Sequence, residues 1–108
     1  MAKYLFQASY TSDAWAAQLQ TPQNRVEILR PIIERLGGRI ECAYFAFGEY
    51  DAIVIFDMPD NVSMAAFALA ASAGGAVKAV KTTPLMTIEE GLEAMRKASG
   101  TGYRPPGS

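Results

Sequence analysis

An α+β sandwich, with helices on one face of a four-stranded antiparallel sheet, is the fold class that three features of this chain predict. Its 108 residues suffice for one hydrophobic core and no more. Its apolar residues switch between a period of two and a helical period as the chain proceeds. Its glycines, prolines and capping residues fall at the switches.

The elements follow in order. "KYLFQASY" (3–10) alternates Tyr4, Phe6, Ala8 and Tyr10 against Lys3, Leu5, Gln7 and Ser9, which is a strand. Ser12 is the expected cap of a short helix, "AWAAQLQ". Thr21, with Pro22 at the first helical position, is the expected start of a second. Val26, Leu29, Ile33 and Leu36 form the apolar stripe of that second helix. Pro31 lies inside it, where one backbone hydrogen bond is lost and a kink is expected. Gly37 and Gly38 end it.

"RIECAYFAF" (39–47) and "DAIVIFDM" (51–58) are rich in β-branched and aromatic residues and sit close enough to pair as a hairpin. Gly48 is expected to supply the turn conformation that other residues resist. Pro59 stops the second of these strands, and Asp60 or Asn61 caps an alanine-rich helix, "VSMAAFALAASA", closed by Gly74 and Gly75. "AVKAVKTTPLM" (76–86) reads as a fourth strand, placed at an edge by Pro84. Thr87 and Glu90 have capping-box spacing and open a last helix. Its first turn is acidic and its last holds Arg96 and Lys97, as the helix dipole favours. Residues 1–98 are thus one domain, and the glycine- and proline-rich 99–108 is expected to be a disordered tail. The order β-α-β-β-α-β with an extra C-terminal helix is the split βαβ, or ferredoxin-like, arrangement.

Strand parity speaks to assembly. Tyr4, Phe6, Ala8, Ile40, Cys42, Tyr44, Ala52, Val54, Phe56 and Met58 share the parity expected to face the helices. The opposite parity mixes Leu5, Phe45, Phe47, Ile53 and Ile55 with Lys3, Gln7, Ser9, Arg39 and Glu41. A wholly solvated face would be more uniformly polar. The expectation is a homo-oligomer that buries this second face; the competing reading has the C-terminal helix fold over it. The alanine-rich helix can likewise let backbones approach closely, within the subunit or across to another.

Composition narrows the chemistry. The net charge is −1, without runs of like charge, so neither nucleic acid nor a membrane surface is an expected partner. "AYFAF" (43–47) has aromatics like an RNA-stacking strand, but lacks the preceding basic residue and glycine and lies on the second strand. No apolar run is long enough to span a bilayer, and the N-terminus does not read as a signal peptide. One cysteine forbids an internal disulfide and suits a reducing compartment, the cytoplasm. The chain has no histidine, which excludes histidine-based nucleophile activation, zinc sites and histidine-ligated haem. No metal and no cofactor are expected.

The candidate ligand-binding residues are Tyr10, Tyr44, Glu49, Tyr50, Asp51 and Lys81. In "GEYD" two carboxylates flank a phenol at the hairpin turn, where they can share a proton or hold a ligand's polar end. Alternatively, the aspartate only accepts turn amides and the tyrosine packs on a neighbour. Glu49 and Asp51 alone make a poor magnesium or calcium shell. Tyr10, Tyr44 and Tyr50 can converge with Ser9 and Gln7 on a small pocket, or serve as core residues with wet hydroxyls. Lys78 and Lys81 follow "SAGGAV" and, with Arg25 and Arg30, offer charge for a phosphate, though the spacing of a phosphate loop is absent and helix capping explains the glycines. Cys42 is expected on a central strand, where thiols are inert. No catalytic set assembles from these residues.

At "FGEYDAIVIFDMPDN" the chain resembles the GYD-domain family, small bacterial and archaeal proteins named for a Gly-Tyr-Asp motif at this hairpin. Here the motif stands as Gly48-Glu49-Tyr50-Asp51. "YLFQASYT", "RPIIERLGG", "MPDNVS" and "VKTTPLMT" are similar as well, so the resemblance covers roughly residues 3 to 98. It implies a ferredoxin-like domain related to the dimeric α/β barrels, with no established activity and no catalytic residues to carry across. The expected function is a homo-oligomeric module that binds a small organic ligand or serves regulation. The alternative is a small cofactor-independent enzyme of oxygenase or isomerase type, with a pocket at the sheet rim or subunit interface.

Overall fold

A computed structural model of the chain describes residues 1–107. Its elements are β1 (Ala2–Tyr10), α1 (Ser12–Gln20), α2 (Arg25–Arg35), β2 (Arg39–Phe45), β3 (Ala52–Met58), α3 (Asn61–Ala73), β4 (Val77–Leu85) and α4 (Ile88–Ser99). The fold is α+β: the four strands form one antiparallel sheet in the order β2-β3-β1-β4. Residues 100–107 follow α4 without regular structure, and Ser108, the end of the expected tail, lies outside the described residues.

The two proposed cap positions before α1 and α2 shift. Thr11 rather than Ser12 caps α1, its hydroxyl accepting from the Ala14 amide at 3.1 Å. Asn24 rather than Thr21 caps α2, its side chain accepting from the Val26 and Glu27 amides. An asparagine can hold two orphan amides at once and outcompetes a threonine three residues upstream. Pro31 does lie inside α2. Asp60 caps α3, and the Thr87–Glu90 capping box is complete. Gly37 takes the left-handed conformation (φ 83°) just past α2, whereas Gly48 does not, so the hairpin turn makes no use of glycine's freedom there.

The core forms where α2 and α3 cover one sheet face. Phe6, Phe56 and Phe67 meet with ring centroids 5.2–5.8 Å apart, and Ile33, Met58 and Met64 close the layer around them. A bulge in β2 corrects the parity read from sequence. Ile40 opposes Phe56, but Cys42 opposes Ile55 and Tyr44 opposes Ile53, because Glu41 is an extra residue in the ladder. Cys42 and Tyr44 therefore move to the face away from the helices, and Phe45 moves to the helix side, where its ring lies 6.4 Å from that of Trp15. Phe47 belongs to neither face, standing fully exposed in the turn. Cys42 also lies on an edge strand, not a central one.

Among the described residues no helix covers the second face. α4 forms no packed interface with any strand, and Ile88 (82 % exposed), Leu92 (44 %) and Met95 (68 %) along one of its stripes remain wet. The chain is accordingly long, 59 Å against 32 and 22 Å. The free face carries cross-strand rows. Arg39–Asp57–Lys3 is charged, Cys42–Ile55–Leu5–Thr83 is mostly apolar, and Tyr44–Ile53–Gln7–Lys81 follows.

Candidate functional site

The hairpin knot is structural in its contacts. Asp51 Oδ2 accepts from the Tyr10 amide at 2.9 Å and from Trp15 Nε1 at 3.3 Å, while the Asp51 amide donates to the Ala8 carbonyl. The Ser9 hydroxyl donates to the Glu49 carbonyl at 2.8 Å. The carboxylate thus ties the end of β1 and the start of α1 to the hairpin, while the Asp51 carbonyl accepts the Ala46 amide across the turn at 2.8 Å. Glu49 is exposed and Tyr50 half-buried.

The six candidate residues do not form one site. Tyr10 lies on the helix side, its ring 5.2 Å from that of Trp15. Tyr44 and Lys81 stand at opposite ends of one row on the free face, with β3 and β1 between them, so roughly 14 Å separates their strands. By register Tyr10 falls on the helix side and Tyr44 and Gln7 on the free face, although Tyr10 and Tyr44 both border a larger cavity. Tyr10 and Asp51 do share a small cleft with Thr11, Ser12, Trp15 and Lys78. Lys78 reaches it because the β1–β4 register slips between Ser9 and Tyr10, leaving that lysine without an opposite residue.

A larger cavity, ≈ 720 Å³, opens on the helix side between α2, α3 and the sheet. Phe6, Ala8, Val54, Phe67, Ala71 and Val77 are among the apolar residues that line it. Its cause is legible in α3. Ala70, Ala71 and the C-cap Gly74 line the cavity with a methyl group or none, where a close-packed layer would need long side chains. The alanine run therefore leaves a gap between the two helices, instead of drawing their backbones together. Sequence reasoning missed this cavity, although "AAFALAASAGGA" was its signal.

The cavity's ionisable lining is small. Burial pushes the Tyr10 phenol up; the nearby Arg25 guanidinium opposes this and the Asp51 carboxylate adds to it. Arg30 holds Glu27 through Nη2–Oε1 at 3.1 Å and Nε–Oε2 at 3.4 Å. Glu41 lies 3.2 Å from Lys3 Nζ. Outside the cavity, Asp57 is buried between Lys3 (2.8 Å) and Arg39 (2.7 Å), whose hydrogen bonds hold its carboxyl below the usual range. Asp60 and Glu90 are lowered by their capping amides. Among the described residues no three histidine, cysteine or acidic side chains come together to hold a metal ion, and no helix is long and apolar enough to cross a membrane.

One comparison with known proteins is informative: the family described as GYD domain matches residues 4–95. No curated protein and no solved structure matches the chain.

Proposed function

The chain belongs to the GYD domain family, and from that premise we propose that it is a homo-oligomeric, small-ligand-binding module of ferredoxin-like type. Each subunit holds a small, largely apolar organic molecule between its sheet and helices α2 and α3, rather than at the hairpin rim. The strand order β2-β3-β1-β4 supports the ferredoxin-like reading. The observation that carries the binding reading is the cavity itself. Its volume falls within the ~300–1,000 Å³ of small-molecule sites, and its walls are mainly apolar with a few polar groups. Association of subunits is supported by the uncovered sheet face, with Leu5, Ile53 and Ile55 beside a charged row. A reducing cytoplasm suits the free thiol of Cys42.

The enzymatic alternative asks for a carboxylate that keeps its proton beside the ligand. The carboxyls whose proton affinity the surroundings change, Asp57, Asp60 and Glu90, are all driven the other way, and none lines the cavity. Binding is therefore the reading adopted. Titration with N-phenyl-1-naphthylamine, a neutral fluorophore that brightens in apolar surroundings, tests it. Wild-type protein should bind about one probe per chain. Ala71→Trp, which fills the cavity from α3, should weaken binding by roughly tenfold or more. Equal binding by both proteins would put the probe elsewhere and remove the proposal.

A further inference from the structure

The floor of the cavity is apolar, but its charge is unbalanced. Three charged residues line it: Arg25, Arg30 and Glu41. Glu27 occupies the guanidinium of Arg30, and Lys3 occupies the carboxylate of Glu41. Arg25 is half-buried at the first position of α2 and forms no ion pair or side-chain hydrogen bond among the described residues. Its charge reaches the half-buried Tyr10 beside it. The cavity therefore offers a ligand one uncommitted positive charge and no uncommitted negative one.

We propose that Arg25 receives the carboxylate of a small organic acid whose aromatic or branched apolar body fills the cavity, with the Tyr10 hydroxyl as a second donor. This rests on the reading of the cavity as a ligand site and names the class of ligand. A planar guanidinium pairs with a carboxylate through two parallel hydrogen bonds, and its partial burial strengthens that pairing relative to open water. A single free guanidinium matches the single charge of a carboxylate. A phosphate ester would call on Arg30 as well, which Glu27 already holds. The Tyr10 phenol has a hydrogen to donate to an oxygen that Arg25 leaves open.

The test compares 2-naphthoate with its neutral isostere 2-naphthamide, titrated into the full chain by calorimetry and followed by NMR at Val54, Phe67 and Ala71. Wild-type protein should bind the acid roughly tenfold tighter than the amide. Arg25→Gln should abolish that preference, bringing the affinity for the acid down to about that for the amide, and Arg25→Lys should retain part of it. Equal affinities in wild type, or a preference that survives Arg25→Gln, would overturn the assignment while the cavity reading stands. If neither compound shifts the cavity resonances, the cavity reading itself falls and this inference goes with it.

Discussion

At the scale of single residues, close approach and buried charge make the sharpest demands. Gly38 follows the left-handed Gly37, but its own necessity is steric. A Cβ there would lie 2.6 Å from the Asp57 carbonyl and 2.3 Å from Met58 Sδ. The methionine can move; the β3 backbone cannot without breaking the sheet. Gly38→Ala should therefore cost about 1–3 kcal/mol, read as a lower urea midpoint at unchanged m-value. Asp57 is the other case. Folding lowers its proton affinity, so its stabilisation is complete above the ordinary value of 3.8 and is lost as pH falls through the lower folded-state value. Both partners keep substantial exposure, which limits the gain. Asp57→Asn should cost roughly 1–2 kcal/mol at pH 7, and the gap to wild type should narrow by pH 3 in parallel urea melts.

At the scale of elements, α3 and α4 answer to different forces. α3 is held by burial: Met64 and Phe67 anchor it on β3 and β4, and its short residues are free to leave a cavity. α4 has no such anchor. Its integrity rests on its own ends, the Thr87–Glu90 box and the basic residues of its last turn. Thr87→Ala should thus cost the helix about 1 kcal/mol. Faster amide exchange across residues 88–92 should report this, with the melting midpoint of the sheet core essentially unmoved. A large drop in that midpoint would mean that α4 is packed on something.

At the scale of the whole molecule, two apolar surfaces have no partner among the described residues: the free sheet face and the stripe of α4. Ile55 lies centrally on the first, between Cys42 and Leu5. Ile55→Lys would place its ammonium in water in a lone subunit but inside the contact in an assembly. Light scattering at micromolar concentration should find wild type oligomeric and the variant monomeric, with matching circular dichroism. A monomeric wild type would refute the association proposed above. Probe binding and association are read by separate measurements, so either proposal can fail alone.

The order of strands and helices, the hairpin, the capping box and a cap for α3 at Asp60 or Asn61 were legible in sequence because each depends on neighbours a few residues apart. The Tyr4, Phe6, Val54 and Phe56 parity was legible for the same reason: alternation is a local property of an extended chain. The candidate site was not. One extra residue at Glu41 reverses the facing of Cys42, Tyr44 and Phe45, and nothing local in the sequence marks that bulge. Asp51 looked like a turn acceptor because its partners, Tyr10 and Trp15, are distant in sequence. By itself the sequence determined which segments are strands and helices and which of their residues are apolar. Only the tertiary structure decided that α4 stands clear of the sheet, that short side chains on α3 open a cavity against α2, and that Arg25 is the charge left over. Those facts depend on how segments far apart in the chain come to lie against one another.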